Sequence, residues 1–415
     1  MLDWAFDDGL GACGVLPVAD LECSGPRKVN LITACMLERR TILAAAILLL
    51  AAIVPARAAD APTANDTARF LAGLPPAAES PLARLASEGW WRQHAQSFDG
   101  AFERVEHRQL ARIRAWSGKH LGAARPTTFY MFSGPDFLYV NAFFPDAKTY
   151  VLAAREPVGK VPDLTTMRGA LPSELARLRY SLSTIISYSF FITQHMKSDL
   201  HRGQINGTLP ILYVFLARSG KTIREVTPVR LDDDAAVQPD TEPVRGKAAR
   251  GVRIIFAGAD GEARTLYYFS TDLADDEVKS SNFLKFCEKL GPGNSFIKSD
   301  SYLLHSGAFT TARSFLLANS AVMVQDDSGI PLRYFNRKEW ELQPYGHYLG
   351  PIGAFPGKYQ PDLASLFRTA PPIDFGIGYR WQPHQSNLLL AIKKPGEPVP
   401  EARSEPAQGE LRLRR

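Results

Sequence analysis

Two short turns carry the residue types from which chemistry could be built. Ser133-Gly134-Pro135-Asp136 stands between an apolar strand-like segment, Phe129-Tyr130-Met131-Phe132, and an apolar helix-like segment over 137–144. At such a junction the free amides of a helix N-terminus can cradle an anion or a polar ligand. Ser133 and Gly134 would line that cradle, and Asp136 would orient the ligand or serve as a base. The competing role is a cap, in which Ser133 or Gly134 ends the turn, Pro135 starts the helix and Asp136 answers its dipole. Glu156-Pro157-Val158-Gly159 follows the next strand-like segment, 149–153, and is expected on the rim of the same site. Asp326-Asp327-Ser328-Gly329 closes another apolar segment. Adjacent carboxyls can raise one another's pKa for acid–base work or hold a hard cation. Asp, Ser and Gly are also what a hairpin turn requires.

The histidines offer less. His305 beside Ser306, downstream of Asp300 and Ser301, has the residue types of a hydrolytic triad without its spacing. His195 and Asp199 share a helix face at i, i+4, near His201, a pair able to hold a metal or orient an imidazole. A helix C-terminus favours His and Lys on its own account, and Lys197 is there too, so no metal is assigned. G-x-S-x-G and H-E-x-x-H do not occur, which removes the common serine-hydrolase and zinc signatures. Gly220-Lys221-Thr222 has the end of a P-loop, but Phe215 stands where its first Gly is required. Gly9-Leu10-Gly11-Ala12-Cys13-Gly14 fits a dinucleotide pattern with no βαβ unit after it. No motif names a cofactor.

The elements that must position these residues read as a mixed α/β protein. Residues 87–116 carry apolar side chains at helical spacing. Strand 129–132, helix 137–144 and strand 149–153 form a compact unit that predicts a parallel βαβ crossover. Leu171-Pro172-Ser173-Glu174 opens a long helix to about residue 200, apolar enough in its middle to be buried on both faces. Segments 211–217 and 222–229 flank Arg218-Ser219-Gly220-Lys221 as a hairpin, and 252–257 with 263–269 flank Gly258-Ala259-Asp260-Gly261 as a second. Helices are expected over 275–290 and 310–319, strands over 321–325 and 330–335, and a last strand pair over 374–381 and 387–392. The sum is a partly parallel sheet with helices on both faces and antiparallel hairpins at an edge.

Organisation along the chain begins abnormally. Met36-Leu37-Glu38-Arg39-Arg40, an uncharged run, then Ala56-Arg57-Ala58 form the three parts of a secretory signal peptide, with cleavage after Ala58. The 16 uncharged residues between Arg40 and Arg57 would span roughly 24 Å as a helix, short of a hydrocarbon core of about 30 Å. Residues 1–35 therefore read as a mis-assigned upstream leader, 36–58 as the signal and 59–80 as a flexible linker. Residues 81–394 read as one α/β domain, with a subdomain break allowed near the Pro-containing loop 238–250, and 395–415 as a disordered tail. Arg39-Arg40 also fits a twin-arginine signal, so the export route stays open.

Export predicts a periplasmic or secreted protein with no membrane anchor after cleavage. Three of the four cysteines precede residue 59, leaving Cys287 on an apolar helical face as a buried thiol and no internal disulfide. The mature chain carries 43 basic and 37 acidic residues, a net +6, with no run of three basic residues. A nucleic-acid face would need a clustered stripe, so nucleic acid is not an expected partner.

The 132–136 turn and the stretch Gln325-Asp326-Asp327-Ser328-Gly329-Ile330-Pro331 resemble segments of exported Gram-negative bacterial proteins of uncharacterised function. That resemblance implies a periplasmic setting and no activity. The turn at 133–136 is also similar to the Ser-Gly-Gly-x-Asp loop of ATP pyrophosphatases, lacking one Gly and the final Ser. The leading expectation is a soluble protein that binds a small polar or anionic molecule near 133–136. Two others compete: a periplasmic hydrolase whose acid–base groups come from Asp136, Asp326, Asp327 and His305, and an envelope scaffold presenting Trp90-Trp91 and the aromatic stretch 345–359. No oligomeric state follows from these residues.

Overall fold

The computed structural model describes residues 61–122, 125–167, 169–191, 203–241 and 248–395. The leader, the signal segment, His195, Asp199, His201 and residues 396–415 of the tail lie outside them. Residues 64–71, linker by composition, form a helix, α1 (Ala64–Leu71). Thr63 accepts from the Asp66 amide at 3.0 Å as its cap, and Phe70 and Leu71 are fully buried at its end. The Trp91 indole donates to the Phe70 carbonyl at 3.2 Å, so two large apolar residues in a small-residue stretch suffice to dock it. After α2 (Ala83–Ala86) comes the expected long helix, α3 (Gly89–Val105), a five-residue π turn over Glu106–Leu110, and α4 (Ala111–His120). Trp91 is buried rather than presented as a surface.

The βαβ unit folds as read. Strand β1 (Thr127–Met131) is buried along its whole length, α5 (Phe137–Phe143) follows, and β2 (Thr149–Ala154) pairs parallel to β1 from Thr127↔Thr149 to Met131↔Ala153. A strand covered on both faces reads as an unbroken apolar run, yet its side chains still alternate. Tyr130, Tyr150 and Leu152 join the core on one face, and Phe129, Met131, Val151 and Ala153 the core on the other.

Helix α6 (Leu171–Tyr188) ends earlier than expected, at Ser189 with φ 64°. It is covered on one face only, with Tyr180 and Tyr188 exposed on the other. Residues 209–218 are a helix, α7 (Leu209–Arg218), and not the first strand of a hairpin. An apolar run without polar alternation has no period to separate a buried helix from a buried strand. Pro210 in the first turn was the discriminating signal, since that position needs no amide.

Strands β3 (Thr222–Leu231) and β4 (Val237–Pro239) follow, then the second hairpin, β5 (Arg250–Ala257) and β6 (Ala263–Ser270), closing at Ala257↔Ala263. β4 and β5 pair with opposite edges of β3, so chain on both sides of the 238–250 loop enters one sheet. The expected helix over 275–290 is broken in two, α8 (Asp275–Val278) and α9 (Phe283–Lys289), at left-handed Asn282. Cys287 is fully buried in α9, and burial pushes its thiol well above the usual range.

The last third supplies β7 (Gly293–Ile297), α10 (Thr310–Asn319), β8 (Ser320–Gln325), β9 (Trp340–Gly346), α11 (Pro361–Leu366) and β10 (Asn387–Lys393). Residues 330–335 form no strand. The Gln325 side chain takes the place of a partner strand there, accepting from the Ile330 amide and donating to its carbonyl, both at 2.9 Å. Residues 374–381 contribute an isolated bridge, Ile377↔Arg380, and β10 pairs with β8 and β9 instead.

Among the described residues the sheet has ten strands in the order β4-β3-β5-β6-β2-β1-β7-β8-β10-β9. The five from β6 to β8 are mutually parallel, and antiparallel strands extend both edges. Helices α1 and α3–α7 cover one face, and α8–α10 the other. No described helix is long and apolar enough to cross a membrane.

Candidate functional site

In the parallel core the chain runs from β1 outward to β2 and β6 on one side, then returns to β7 and β8 on the other. The loops leaving β1 and β7 therefore diverge, and in open α/β sheets the crevice at such a reversal is where ligands bind. A cavity of about 340 Å³ opens there, lined by residues after β1 (Ser133, Gly134, Asp136), β2 (Glu156), β6 (Asp272) and β7 (Lys298, Asp300).

At its floor lies a buried ion pair. Lys298, the residue after β7, sets its Nζ 2.8 Å from Asp136 Oδ2. It also donates to the Ser189 carbonyl and sits 3.9 Å from the centroid of the Tyr139 ring. Burial pushes the Lys298 ammonium down, against the pull of Asp136 and then Asp326. Asp136 is equally committed: Oδ1 accepts from the Tyr139 amide at 3.1 Å, capping α5, and Oδ2 accepts from the Tyr130 hydroxyl at 3.0 Å. Burial and Asp136 together push the Tyr130 phenol well above its usual range. The capping role of Asp136 is thus observed, and its carboxylate occupies an amide that an anion would have used.

The loop after β7 holds three left-handed non-glycine residues. Ser299, Ser301 and Tyr302 have φ of 53°, 58° and 56°, the left-handed region that side chains with a Cβ avoid. Phe132 (φ 60°) and Ser189 (φ 64°) bring to five the non-glycine residues of this kind gathered around the cavity, against two elsewhere among the described residues. Such conformations cost on the order of 1–3 kcal/mol each and persist where surroundings over-determine them. Here Asp326 Oδ2 accepts from the Ser299 amide at 2.9 Å, and Ser328 Oγ accepts from the Asp300 amide at 3.0 Å. The Tyr379 hydroxyl accepts from the Ser301 amide at 3.1 Å and donates to the Ser299 carbonyl at 2.9 Å. Asp300 Oδ1 accepts from the Tyr302 amide at 2.9 Å.

Asp326 and Asp327 lie beneath this loop and do not line the cavity. Asp326 Oδ1 accepts both the amide and the hydroxyl of Ser328, while Asp327 accepts from the Tyr302 hydroxyl at 2.6 Å and from Asn387 Nδ2 at 3.0 Å. Burial and the neighbouring Asp327 push Asp326 up to about 7, and burial pushes Asp327 up as well. Asp300 is raised well above the carboxylate range by burial and then by Asp326. Its Oδ2 has no partner, and neither has Ser299 Oγ.

The structure therefore brings Ser133, Gly134, Asp136 and Glu156 together at one cavity, as the sequence led us to expect, and sets Asp326 and Asp327, expected as acid–base groups, behind its wall. His305 packs on the Tyr302 ring at 5.0 Å, does not line the cavity, and is pushed down to about 4 by burial, then by Lys358 and Arg333. Lys298 was missed, and Asp300 entered only as a triad residue type. The available signal was the apolar pair Phe296-Ile297 ending in the polar turn Lys298-Ser299-Asp300-Ser301. Among the described residues no group of three or more His, Cys, Asp or Glu is placed to hold a metal ion.

The rim at 156–159 is fastened by a second loop. Lys160 and Asn206 exchange amide–carbonyl bonds at 3.0 and 3.1 Å, and the Thr208 and Leu209 amides donate to Pro157 and Val158 at 3.1 and 2.9 Å. Gly159 (φ +70°) makes this approach possible, because a Cβ there would stand 2.0 Å from the Asn206 carbonyl oxygen. Gly159→Ala is expected to cost about 2 kcal/mol or more in urea unfolding. Gly261→Ala, at φ +75° with open space around it, should cost only about 1 kcal/mol. Equal losses would mean that the two loops are not in contact.

Strand order, helices on both faces and a cavity at the reversal define a doubly wound α/β protein with antiparallel extensions. Compared with known proteins, the chain matches no family model, no curated protein and no solved structure.

Proposed function

We propose that this is an exported protein whose cavity between the carboxyl ends of β1 and β7 holds a small polar molecule. The observation that carries the reading is the coincidence of three features at one place: a cavity of about 340 Å³, five left-handed non-glycine residues around it, and a buried carboxyl, Asp300, with one oxygen unpartnered. Small-molecule sites begin at about 300 Å³, and strained backbone held by its surroundings fixes polar groups in position. Export is supported by the charged, apolar and small-residue segments over 36–58. The electrostatics favour a neutral or cationic ligand over an anionic one, because Asp136 already caps α5 and the lining carries more carboxyls than cations.

The test is a thermal-shift panel of neutral polyols, amines and carboxylates at about 10 mM. A ligand with a Kd near 0.1 mM would stabilise the protein by about 2.7 kcal/mol there. At least one class is expected to raise the unfolding midpoint, and Ala154→Leu, which fills the cavity from the end of β2, should abolish the response. A flat panel, or shifts that survive Ala154→Leu, would refute the reading.

A further inference from the structure

We propose that the ligand is an organic cation, an ammonium group on an apolar or aromatic body. The inference rests on the reading of the cavity as a ligand site and names its substrate class. Four carboxyl side chains and two cationic ones border the cavity. Lys298 is paired with Asp136 at 2.8 Å and Arg155 with Asp272 at 3.4 Å. Glu156, two residues beyond β2, and Asp300, after β7, remain without a cation among the described residues.

Asp300 lines the cavity and is only 2% exposed, its Oδ1 is occupied by the Tyr302 amide, and its buried Oδ2 has no hydrogen-bond partner. A buried polar oxygen without a partner is costly, and an ammonium, with three donors and no acceptor, would both bond it and favour the ionised carboxyl over the neutral one that burial favours. Phe132, Phe190, Phe191 and Phe309 supply aromatic wall to the same cavity. Aromatic faces attract a cation and cover an apolar body equally well. An anion would meet Glu156 and would find the α5 amide already taken by Asp136.

Calorimetry on the purified protein with three near-isosteric probes separates the charge from the body: 2-phenylethylamine, 2-phenylethanol and phenylacetate. The amine is expected to bind at least about tenfold more tightly than the alcohol, with phenylacetate weaker still. Asp300→Asn keeps an oxygen for the Tyr302 amide, so it should fold. It and Glu156→Gln should each weaken the amine about tenfold and leave the alcohol unchanged. Equal or tighter binding of the alcohol or the acid overturns the cationic assignment while leaving the cavity a ligand site. So does silence of all three probes when a polyol still stabilises the protein. Silence of the probes and of the whole panel overturns both.

Discussion

Lys298→Met is expected to cost the protein about 3–5 kcal/mol, the largest loss of any single surface-preserving change at this site. The substitution keeps the volume of the side chain but removes the cation that pairs with Asp136 among the described residues, and Asp136 is 1% exposed and cannot turn to solvent. Breaking a buried pair leaves one charge desolvated and uncompensated, and that residue of charge dominates the loss. The cure follows from the same argument. Adding Asp136→Asn should recover most of the stability, because a neutral amide can still accept from the Tyr139 amide as the cap of α5. Urea unfolding of the two variants checks both statements. A Lys298→Met protein as stable as the parent would mean that the pair is solvated in solution and that the floor of the cavity is open to water.

The second large effect is on the pH dependence of stability. Asp326 is pushed up to about 7 in the folded protein, against 3.8 for the ordinary group. Between those values the folded state holds a proton that the unfolded state has released. Stability therefore falls as pH rises from about 4 to about 7, and the loss is complete above 7. His94 and His305, both pushed down to about 4 by burial, act the other way, since their unfolded forms bind protons below pH 6.5 that the folded forms refuse. The total curve mixes opposing slopes, so the informative quantity is the difference between parent and Asp326→Asn. The variant loses stability at every pH through its bonds to Ser299 and Ser328. Its deficit should shrink steadily from pH 4 to pH 7, because the parent alone suffers from ionising Asp326. A deficit independent of pH would show that Asp326 titrates like a surface carboxyl.

How far these groups were legible depended on distance along the chain. The β1–α5–β2 unit, with Ser133, Gly134 and Asp136 between its elements and Glu156 just beyond, could be read because strand, turn and helix signals follow one another locally. Residues 209–218 could not be typed by period, since their core of Ile, Leu, Val and Phe has no polar alternation, and Pro210, just ahead of the 211–217 segment read as a strand, was the one local sign of a helix start. Residues 330–335 have the composition of a strand and lack a neighbour to pair with, the Gln325 side chain having taken that position. Lys298 is the plainest case. The polar turn after Ile297 marks the end of a strand, but nothing in the sequence marks Lys298 as buried, and its partner Asp136 comes from the turn after β1, a strand that only the sheet order makes adjacent. The roles of Asp326 and Asp327 were inverted for a related reason: paired carboxyls read as chemistry, whereas here they hold the left-handed loop after β7 from behind.

The position of β1 between β2 and β7 bears on how the protein is assembled. Its first neighbour arrives about twenty residues later and its second more than 160 residues later, Thr128 pairing with Asn294. Contacts of such wide separation must be preceded by a large loss of chain entropy, and they slow folding. During synthesis, the N-terminal half would present β1 as an unpaired apolar edge until the C-terminal third emerged. Such an edge is a template for pairing with other chains. The site and the danger share an origin, since the reversal that opens a cavity beside β1 is also what makes β1 wait for its partner.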